Sequence, residues 1–418
     1  THHARRALQR TLEHFRASGD RRGQSRVLLL LSRVARVLAE PATELVEEAR
    51  KVVEDLGDTP ELARALITLG NDLAPAGRIT QLREIAEPAL AMAERLNDKH
   101  LIAGALSLKA AALVDDDPAE AVRLALRSRD LALEAGVVMR AVMSYFTVVF
   151  AMERADASPA QVVRMIDDGL AYARRHGVEN NALIPAAAYY HLNRGDWDSA
   201  LAAAQQITKS EYLDNALEIR GRIAEGRDGP AAASALYAEQ ADAWRRLAGA
   251  ASIPAHQAAA YAALLRADDA AARAALAELR PSSADQVLFV TDTRLLISTA
   301  LLAEREDLER YEVASRGREA KLWIPYALAW SAARAFADGD AAACGRILSS
   351  VAELLRVYWP YGLDTAYAEV TLAFARATLR SGGTLGPEWD SALAGARAFA
   401  ERAKAAWWLA ELDTLRAR

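Results

Sequence analysis

Three consecutive carboxylates, Asp115, Asp116 and Asp117, are the pattern in this sequence that most resembles a metal or catalytic site. Carboxylate oxygens are the ligands that Mg²⁺ and Ca²⁺ prefer, so the run could hold a divalent cation. Pro118 follows at once, and Asp before a Pro at the first helical position is typical of a helix N-terminus. Helix capping in a solvated turn therefore explains the run better than a metal site, and the two Asp-Asp pairs elsewhere take the same interpretation.

The common catalytic motifs are missing from the sequence. A phosphate-binding loop needs Gly-Lys before Ser or Thr, and no Lys follows a Gly. No His is followed by Glu, as the helical zinc-protease motif requires, and there is no Gly-x-Ser-x-Gly nucleophile elbow. These absences predict a protein that is not an enzyme and needs no cofactor. An enzyme with an Asp-rich helical site stays open as an alternative.

The cysteine and the histidines form no ligand set. Cys344 has Ala neighbours and no nearby His, so we expect a small packing residue, and a lone cysteine fits a reducing compartment. His176 falls in a last helical turn, where a cation is favoured by the helix dipole. We expect His100 and His191 to be hydrogen-bonded packing residues, and we expect no metal.

Aromatic side chains are the best candidates for a binding surface. Trp323, Tyr326 and Trp330 recur at i, i+3 and i+7 and therefore share one helix face. The predicted ligand- or partner-binding residues combine such aromatics with polar neighbours that could supply hydrogen bonds: Tyr145, Asn180, Asn181, Tyr189, Tyr190, Arg194, Trp323, Tyr326 and Trp330. The alternative for the same aromatics is core packing between helices. Trp407-Trp408 would mark a covered interface or an end cap, because adjacent residues cannot share a helix face.

Composition favours helices and excludes some partners. Of 418 residues, 52% are hydrophobic but only 6% are aromatic. Much of the non-aromatic hydrophobic content is Ala and Leu, and these residues favour helices and close helix packing. The net charge is −5, and charges of both signs are interspersed, so we expect no direct binding of nucleic acid. No apolar run reaches the roughly 18–20 residues that span a bilayer. We expect a cytoplasmic location and, since the polar N-terminus lacks a Met, a part of a longer protein.

Evenly spaced helix ends reveal an internal repeat. Amphipathic segments stop at Gly or Asn at positions 19, 57, 97, 136 and 177, so the spacings are 38, 40, 39 and 41. A second helix fits into each interval. A repeat of about 40 residues holding two helices is the unit of a helical solenoid. The sequence predicts an all-α superhelix of about ten to eleven antiparallel hairpins.

Helix starts agree with this period. Asp117-Pro118-Ala119-Glu120 and Ser158-Pro159-Ala160-Gln161 both have the pattern of a capping box. The segment at 66–73 has the large-x-x-Leu-Gly-x-x-large pattern of the first helix of a tetratricopeptide repeat. Ala86, Leu90 and Ala93 supply the small-large-small spacing of the second helix. The chain thus resembles tetratricopeptide repeats, with a longer turn.

The rhythm loosens after about residue 210. We expect regular repeats over 1–250 and less regular ones, continuous with them, over 251–418. The expected helices of this part are 211–225, 230–249, 254–280, 284–303, 306–319, 321–337, 341–358, 361–380 and 388–416, with a possible break near Lys404. A terminal hairpin could cap the array.

A longer motif resembles one particular group of helical-repeat proteins. Gly169-Leu170-Ala171-Tyr172-Ala173-Arg174-Arg175-His176-Gly177, followed by Gly195-Asp196-Trp197-Asp198-Ser199-Ala200, is similar to the helical C-terminal half of bacterial MalT-like and LuxR-type ATP-binding regulators and to the tails of bacterial nucleotide cyclases. The resemblance covers roughly 20–250. It implies a module that senses an inducer or a partner and restrains an adjoining ATPase, cyclase or DNA-binding domain.

Together these patterns predict a non-catalytic sensor or scaffold. We expect a protein, a peptide or a small effector to bind in an open groove on the concave face, and self-association is a further possibility. The runner-up is a freestanding peptide-binding repeat protein that controls a partner enzyme.

Overall fold

The fold is entirely helical in the part of the chain that the structure describes. The computed structural model describes residues 2–38, 40–155, 157–178, 182–207, 213–288, 293–319, 321, 323–358 and 364–416. Those residues contain 23 α-helices, two short 3₁₀ helices and no strand. They form two compact units, Thr1–Leu183 (unit 1) and Ile184–Arg418 (unit 2). The predicted class, an all-α repeat of about eleven hairpins, is confirmed.

Unit 1 is a regular two-layer array. Its helices are α1 His2–Ser18, α2 Arg21–Val37, α3 Thr43–Val53, α4 Pro60–Leu73, α5 Ile79–Arg95, α6 Lys99–Leu113, α7 Pro118–Glu134, α8 Val138–Arg154 and α9 Pro159–Arg175. Each helix packs on the next, and α2, α4, α6 and α8 also pack on one another in that order. These four helices are called the even layer. As predicted, each interval between the helix ends at 19, 57, 97, 136 and 177 contains two α-helices.

The predicted helix ends of unit 1 all have positive φ angles. Their φ angles are 72° at Gly19, 74° at Gly57, 50° at Asn97, 66° at Gly136 and 71° at Gly177. A Cβ opposes this conformation, which is why Gly, or less often Asn, occupies such positions. The predicted repeat boundaries are confirmed.

The two predicted capping boxes differ. Ser158 and Gln161 form the reciprocal pair: each side chain bonds to the other residue's backbone N–H. The Asp117 carboxylate accepts from the backbone N–H of Glu120 at 3.0 Å, but the Glu120 side chain pairs with Arg123 instead. This box is therefore only half formed, because a carboxylate facing Arg gains more than one facing a backbone amide.

Small residues bring the layers of unit 1 together. Gly70 packs against Leu108, and Ala86 and Ala93 are buried, as the tetratricopeptide-like register predicts. The hydroxyl of Ser128 on α7 links α6 and α8. It lies 2.8 Å from the hydroxyl of Ser107 and 2.9 Å from that of Ser144.

Unit 2 is less regular. Its helices are α10 Leu183–Arg194, α11 Trp197–Ala204, α12 Leu213–Asp228, α13 Pro230–Ala248, α14 Ile253–Leu265, α15 Asp269–Ala277, α16 Ala284–Val287, α17 Thr293–Leu301, α18 Arg305–Arg316, α19 Trp323–Ala337, α20 Ala341–Tyr358, α21 Thr365–Arg380, α22 Asp390–Ala403 and α23 Ala406–Arg416. The single helix expected over 254–280 is wrong: Ala267, at φ 58°, separates α14 from α15. The one expected over 284–303 is likewise two helices, α16 and α17. The break at Lys404, at φ 54°, is confirmed.

Unit 2 closes on itself. Its last helix α23 packs on α12, and Trp408 meets Trp197 edge-to-face with ring centroids 5.5 Å apart. Both indoles are buried, and Gly226 leaves room for the Trp197 ring. Trp408 thus lies in a covered interface, as expected. Contacts between helices so far apart in the chain leave no periodic trace in the sequence, and the open groove stays a prediction.

We expect Gly70→Val to lower the free energy of unfolding by about 1–3 kcal/mol through overpacking. A Cβ at Gly70 would lie 2.6 Å from the Leu108 side chain. Urea unfolding followed by circular dichroism measures the change. Ala119→Val, on the exposed side of α7, is the control and should change stability by no more than about 0.5 kcal/mol. Equal midpoints for the two variants would refute this packing register.

Candidate functional site

The even layer of unit 1 carries an excess of positive charge. Its basic residues are Arg21, Arg22, Arg26, Arg33, Arg36, Arg64, Lys99, Lys109, Arg140 and Arg154, and its acidic residues are Glu61, Asp72 and Glu153. The odd-numbered helices α3, α5, α7 and α9 are nearly balanced, with ten basic and eleven acidic residues. The charge of the array is thus divided between its layers.

Buried acids of the even layer are already paired. Asp72 accepts two hydrogen bonds from the Arg36 guanidinium, at 2.7 and 2.9 Å. Glu61 lies 3.1 Å from Arg26. Neither carboxylate is available to neutralise the exposed arginines Arg22 and Arg33, so the surface of α2 is positively charged. Elsewhere in the layer, Arg21, Lys99 and Lys109 pair with acids outside it.

An apolar stripe runs along the exposed side of α8. Met139 is 45% exposed and Phe146 is 37% exposed, while Met143 and Phe150 are half-buried. Their spacing of i, i+4, i+7 and i+11 places them on one helix face. Contiguous exposed apolar side chains on a soluble surface are typical of interaction sites. Together with the basic residues, this stripe defines the even face of unit 1.

Three basic side chains of successive even helices meet on the even face. Arg64 lies on α4, His100 on α6 and Arg140 on α8. Gly104, one turn after His100, has no side chain, and a Cβ there would lie 3.4 Å from the Cζ of Arg140. The guanidinium of Arg140 therefore lies over the backbone of α6, next to the imidazole.

Two nitrogen atoms of this basic cluster have no hydrogen-bond partner among the described residues. Nε of Arg140 and Nδ1 of His100 are both buried without a hydrogen bond. Burial lowers the pKa of Arg140. Burial first, and then the charge of Arg140, lower the pKa of His100; Arg64 acts in the same direction and Asp98 opposes it. An unpaired buried donor costs about 1–3 kcal/mol.

Tyr145, a predicted binding residue on α8, is buried in unit 1. It is 8% exposed, and its ring lies 6.2 Å from that of Tyr172. A Cβ at Gly169 would meet it at 2.9 Å. Tyr145 therefore packs between helices, on the opposite side of α8 from the exposed stripe.

The predicted residues of unit 2 are also largely enclosed. Tyr190 is 5% exposed with the Arg194 guanidinium over its ring, and Tyr189 donates a hydrogen bond to Glu218 at 3.0 Å. The described exposures in the stripe on α19 are 3% for Trp323, 0% for Tyr326 and 0% for Trp330. Asn180 and Asn181 lie outside the described residues. This burial agrees with the core-packing alternative, and a binding role for these residues stays a prediction.

A buried ionic network, which the sequence did not predict, occupies the interior of unit 2. Arg222 on α12 pairs with Glu218 at 3.0 Å and with Glu369 on α21, and it donates to Thr293 on α17 at 3.4 Å. Three helices distant in sequence thus share one guanidinium. Breaking such a pair by removing one partner costs about 3–5 kcal/mol.

Further phenol and carboxyl groups surround this pair. Arg294 donates to Gln240 at 2.9 Å and lies over the ring of Tyr237, and the Tyr261 hydroxyl donates to Glu225 at 3.0 Å. Burial raises the pKa of Glu369 well above its usual value, although Arg222 opposes the shift. The arrangement is suited to holding helices together and to retaining protons on carboxyl groups.

A cleft beside Arg194 opens on the surface of unit 2. It is lined by Arg194, Gly195, Asp196, Trp197, Asp198, Arg227, Arg402, Ala403 and Lys404. Asp198 lies 2.8 Å from Arg227 and 3.8 Å from Lys404. Much of its charge is therefore satisfied within the cleft.

The other candidate chemical groups have structural roles. Asp116 pairs with Arg83, and Asp117 caps α7. Among the described residues, no three His, Cys, Asp or Glu side chains are grouped as a metal site would need. Cys344 is buried, and burial raises the pKa of its thiol. No described helix is long and apolar enough to cross a bilayer.

Comparisons with known proteins add little to this geometry. No family model matches the chain, and no curated protein matches it. One solved structure that it matches is described as a "Circular tandem repeat protein with novel repeat topology and enhanced subunit contact surfaces". The match has 15% identity, 99% coverage of this chain, 93% coverage of the other and a TM-score of 0.14, which is too low to carry an argument. The helices themselves define the class: an all-α helical-repeat protein.

We expect Asp214→Asn to make unit 2 more stable at pH 8 and to change little at pH 4. Burial, with the nearby charge of Glu218, raises the pKa of Asp214 to about 7. A carboxyl whose folded-state pKa is raised stabilises the fold fully below its unfolded pKa, and that stability is lost as pH rises through about 7. The expected gain at pH 8 is on the order of 2–4 kcal/mol.

Urea unfolding at both pH values measures this effect. Asp242→Asn, at an exposed carboxylate on α13, is the matched control and should show no such pH-dependent gain. The same response from both variants would mean that Asp214 is not the group responsible.

Proposed function

We propose that this protein is a non-catalytic binding module whose even face, in unit 1, binds an acidic amphipathic segment of a partner protein. The observation that carries the proposal is the pairing of excess basic charge with an exposed apolar stripe on one helical layer. The apolar side of an amphipathic helix would cover Met139 and Phe146. Its carboxylates would face basic residues of the even layer.

Charge complementarity supports this occupant over others. Arg22 and Arg33 are exposed, and the carboxylates buried nearby are already paired. A basic segment would be repelled, and an uncharged one would leave the arginines uncompensated. Leu30 of α2, 49% exposed, adds a second apolar contact on the same layer.

In a longer protein, such binding would serve regulation. The resemblance to the helical halves of MalT-like and LuxR-type regulators supports a sensor that restrains an adjoining ATPase, cyclase or DNA-binding domain. The alternative is a freestanding repeat protein that controls a partner enzyme. An effector domain in the same reading frame favours the first, and its absence from the full reading frame favours the second.

The proposal is tested with two synthetic helices of about 18 residues that share one Leu/Phe face. One carries Glu on the polar face and the other carries Lys. We expect the Glu-faced helix to bind at least about 10-fold more tightly at low salt, with the difference shrinking as salt screens the charges. Fluorescence anisotropy measures both affinities. Equal affinities, or tighter binding of the Lys-faced helix, would contradict the proposal.

The apolar stripe is tested separately. Removing two central hydrophobic contacts in the Met139→Ser/Phe146→Ser variant should weaken the Glu-faced helix by about 10-fold or more. Val357→Ser, at a side chain of unit 2 that is 78% exposed, is the control and should bind as the unchanged protein does. Loss of affinity in both variants would point to non-specific adhesion.

A further inference from the structure

The basic cluster of Arg64, His100 and Arg140 has the properties of a ligand site rather than of a structural ion pair. Most cationic side chains of the even layer whose contacts are described face an acid, as Arg36 faces Asp72. Arg140 has no ion pair and no hydrogen bond among the described residues, although it is largely enclosed. An enclosed guanidinium without an anion is unfavourable, so an anion from outside would relieve the cost.

The packing around the cluster holds its groups in place. Because Gly104 has no side chain, Arg140 can lie against α6. A Cβ added at Gly104 would also lie 3.0 Å from Ile67 of α4. The guanidinium is thus held between α6 and α8. Arg64 marks the open side of the cluster, because its side chain is 42% exposed and its contact with Glu61 is long, at 3.8 Å.

The donor chemistry selects an oxyanion. A guanidinium presents parallel N–H donors that match the two oxygens of a carboxylate. The unpaired Nδ1 of His100 can supply a further donor when the ring is protonated. Electrostatic repulsion among the three basic groups disfavours a cation and favours a bound anion.

We infer that Arg64, His100 and Arg140 form an oxyanion-binding site that accepts a carboxylate of the acidic segment bound to the even face. The inference rests on the proposed function for the source of that carboxylate. Met139 and Met143 belong to the apolar stripe of α8 and lie near Arg140 on the same helix. They would contact apolar side chains of the same segment. The site thereby fixes where an acidic residue must lie along the ligand.

The site is tested first with acetate at constant ionic strength. The imidazole signal of His100 is followed by NMR while pH is varied with and without acetate. A bound anion stabilises the protonated ring, so we expect acetate to raise the pKa of His100. The response should be lost in Arg140→Gln. It should remain in Arg127→Gln, which removes the same charge from an exposed position of α7.

The second test measures how tightly the Glu-faced helix binds to variants of the site. We expect it to bind Arg140→Gln at least about 10-fold more weakly than Arg127→Gln, and Arg140→Lys to recover only part of the loss. A helix that binds both Gln variants equally overturns the site and leaves the proposed function standing. If acetate raises the pKa of His100 but the helix does not bind, the proposed function is overturned, together with the acidic segment as the source of the carboxylate. A His100 pKa that ignores acetate overturns the site itself.

Discussion

Close packing around each even helix of unit 1 is the constraint from which the rest of the account follows. Helix α6, for example, packs on α5 and α7 as well as on α4 and α8. Such a helix buries almost its whole circumference, which is why its sequence is rich in Ala, Gly and Leu. Only a narrow strip of each even helix remains for solvent, and the chemistry of those strips decides what the layer can bind.

The strips combine charge with exposed apolar surface. Acidic residues of the layer are used inside it, as Asp72 and Glu61 are. Some of the remaining cations pair with acids outside the layer, as Lys99 does with Glu134, whereas Arg22 and Arg33 face solvent. Helix α8 adds the exposed apolar side chains Met139 and Phe146. Because Arg22 and Arg33 have no ion pair among the described residues, their charge must be compensated by solvent ions or by another molecule. A folded array can present such a surface at little conformational cost, since its helices are already rigid.

Unit 2 uses its charges in the opposite way. Arg222 and Glu369 lie 147 residues apart and meet in the interior, where Glu218 and Thr293 share the same guanidinium. Such a network adds little net stability relative to apolar packing, but it penalises any arrangement that separates its members. It therefore specifies which helices of the unit meet. Trp197 on α11 packs against Trp408 on the last helix, α23.

Local features could be predicted from the sequence, whereas long-range ones could not. Gly57 and Asn97 mark helix ends because a positive φ depends on the residue type at that position. Ser158 caps α9 through a contact three residues away, which is also visible in the sequence. The residues next to Arg222 in the sequence do not distinguish it from a solvent-exposed arginine, because most of its partners lie on distant helices. Arg140 was missed for a related reason: its enclosure depends on Gly104 of the neighbouring helix. The stripe on α19 has the spacing of either a core or a groove, and only the fold shows that it is buried.

The methionine methyl groups offer the most direct measurement of the central claim. All five methionines lie in unit 1: Met92, Met139, Met143, Met152 and Met165. Met139 and Met143 belong to the even face, whereas Met92 is 8% exposed in the core. In a ¹³C-methyl NMR titration with the Glu-faced helix, the account predicts that the Met139 and Met143 signals shift while that of Met92 stays in place. Saturating helix that leaves both even-face signals unmoved would contradict it.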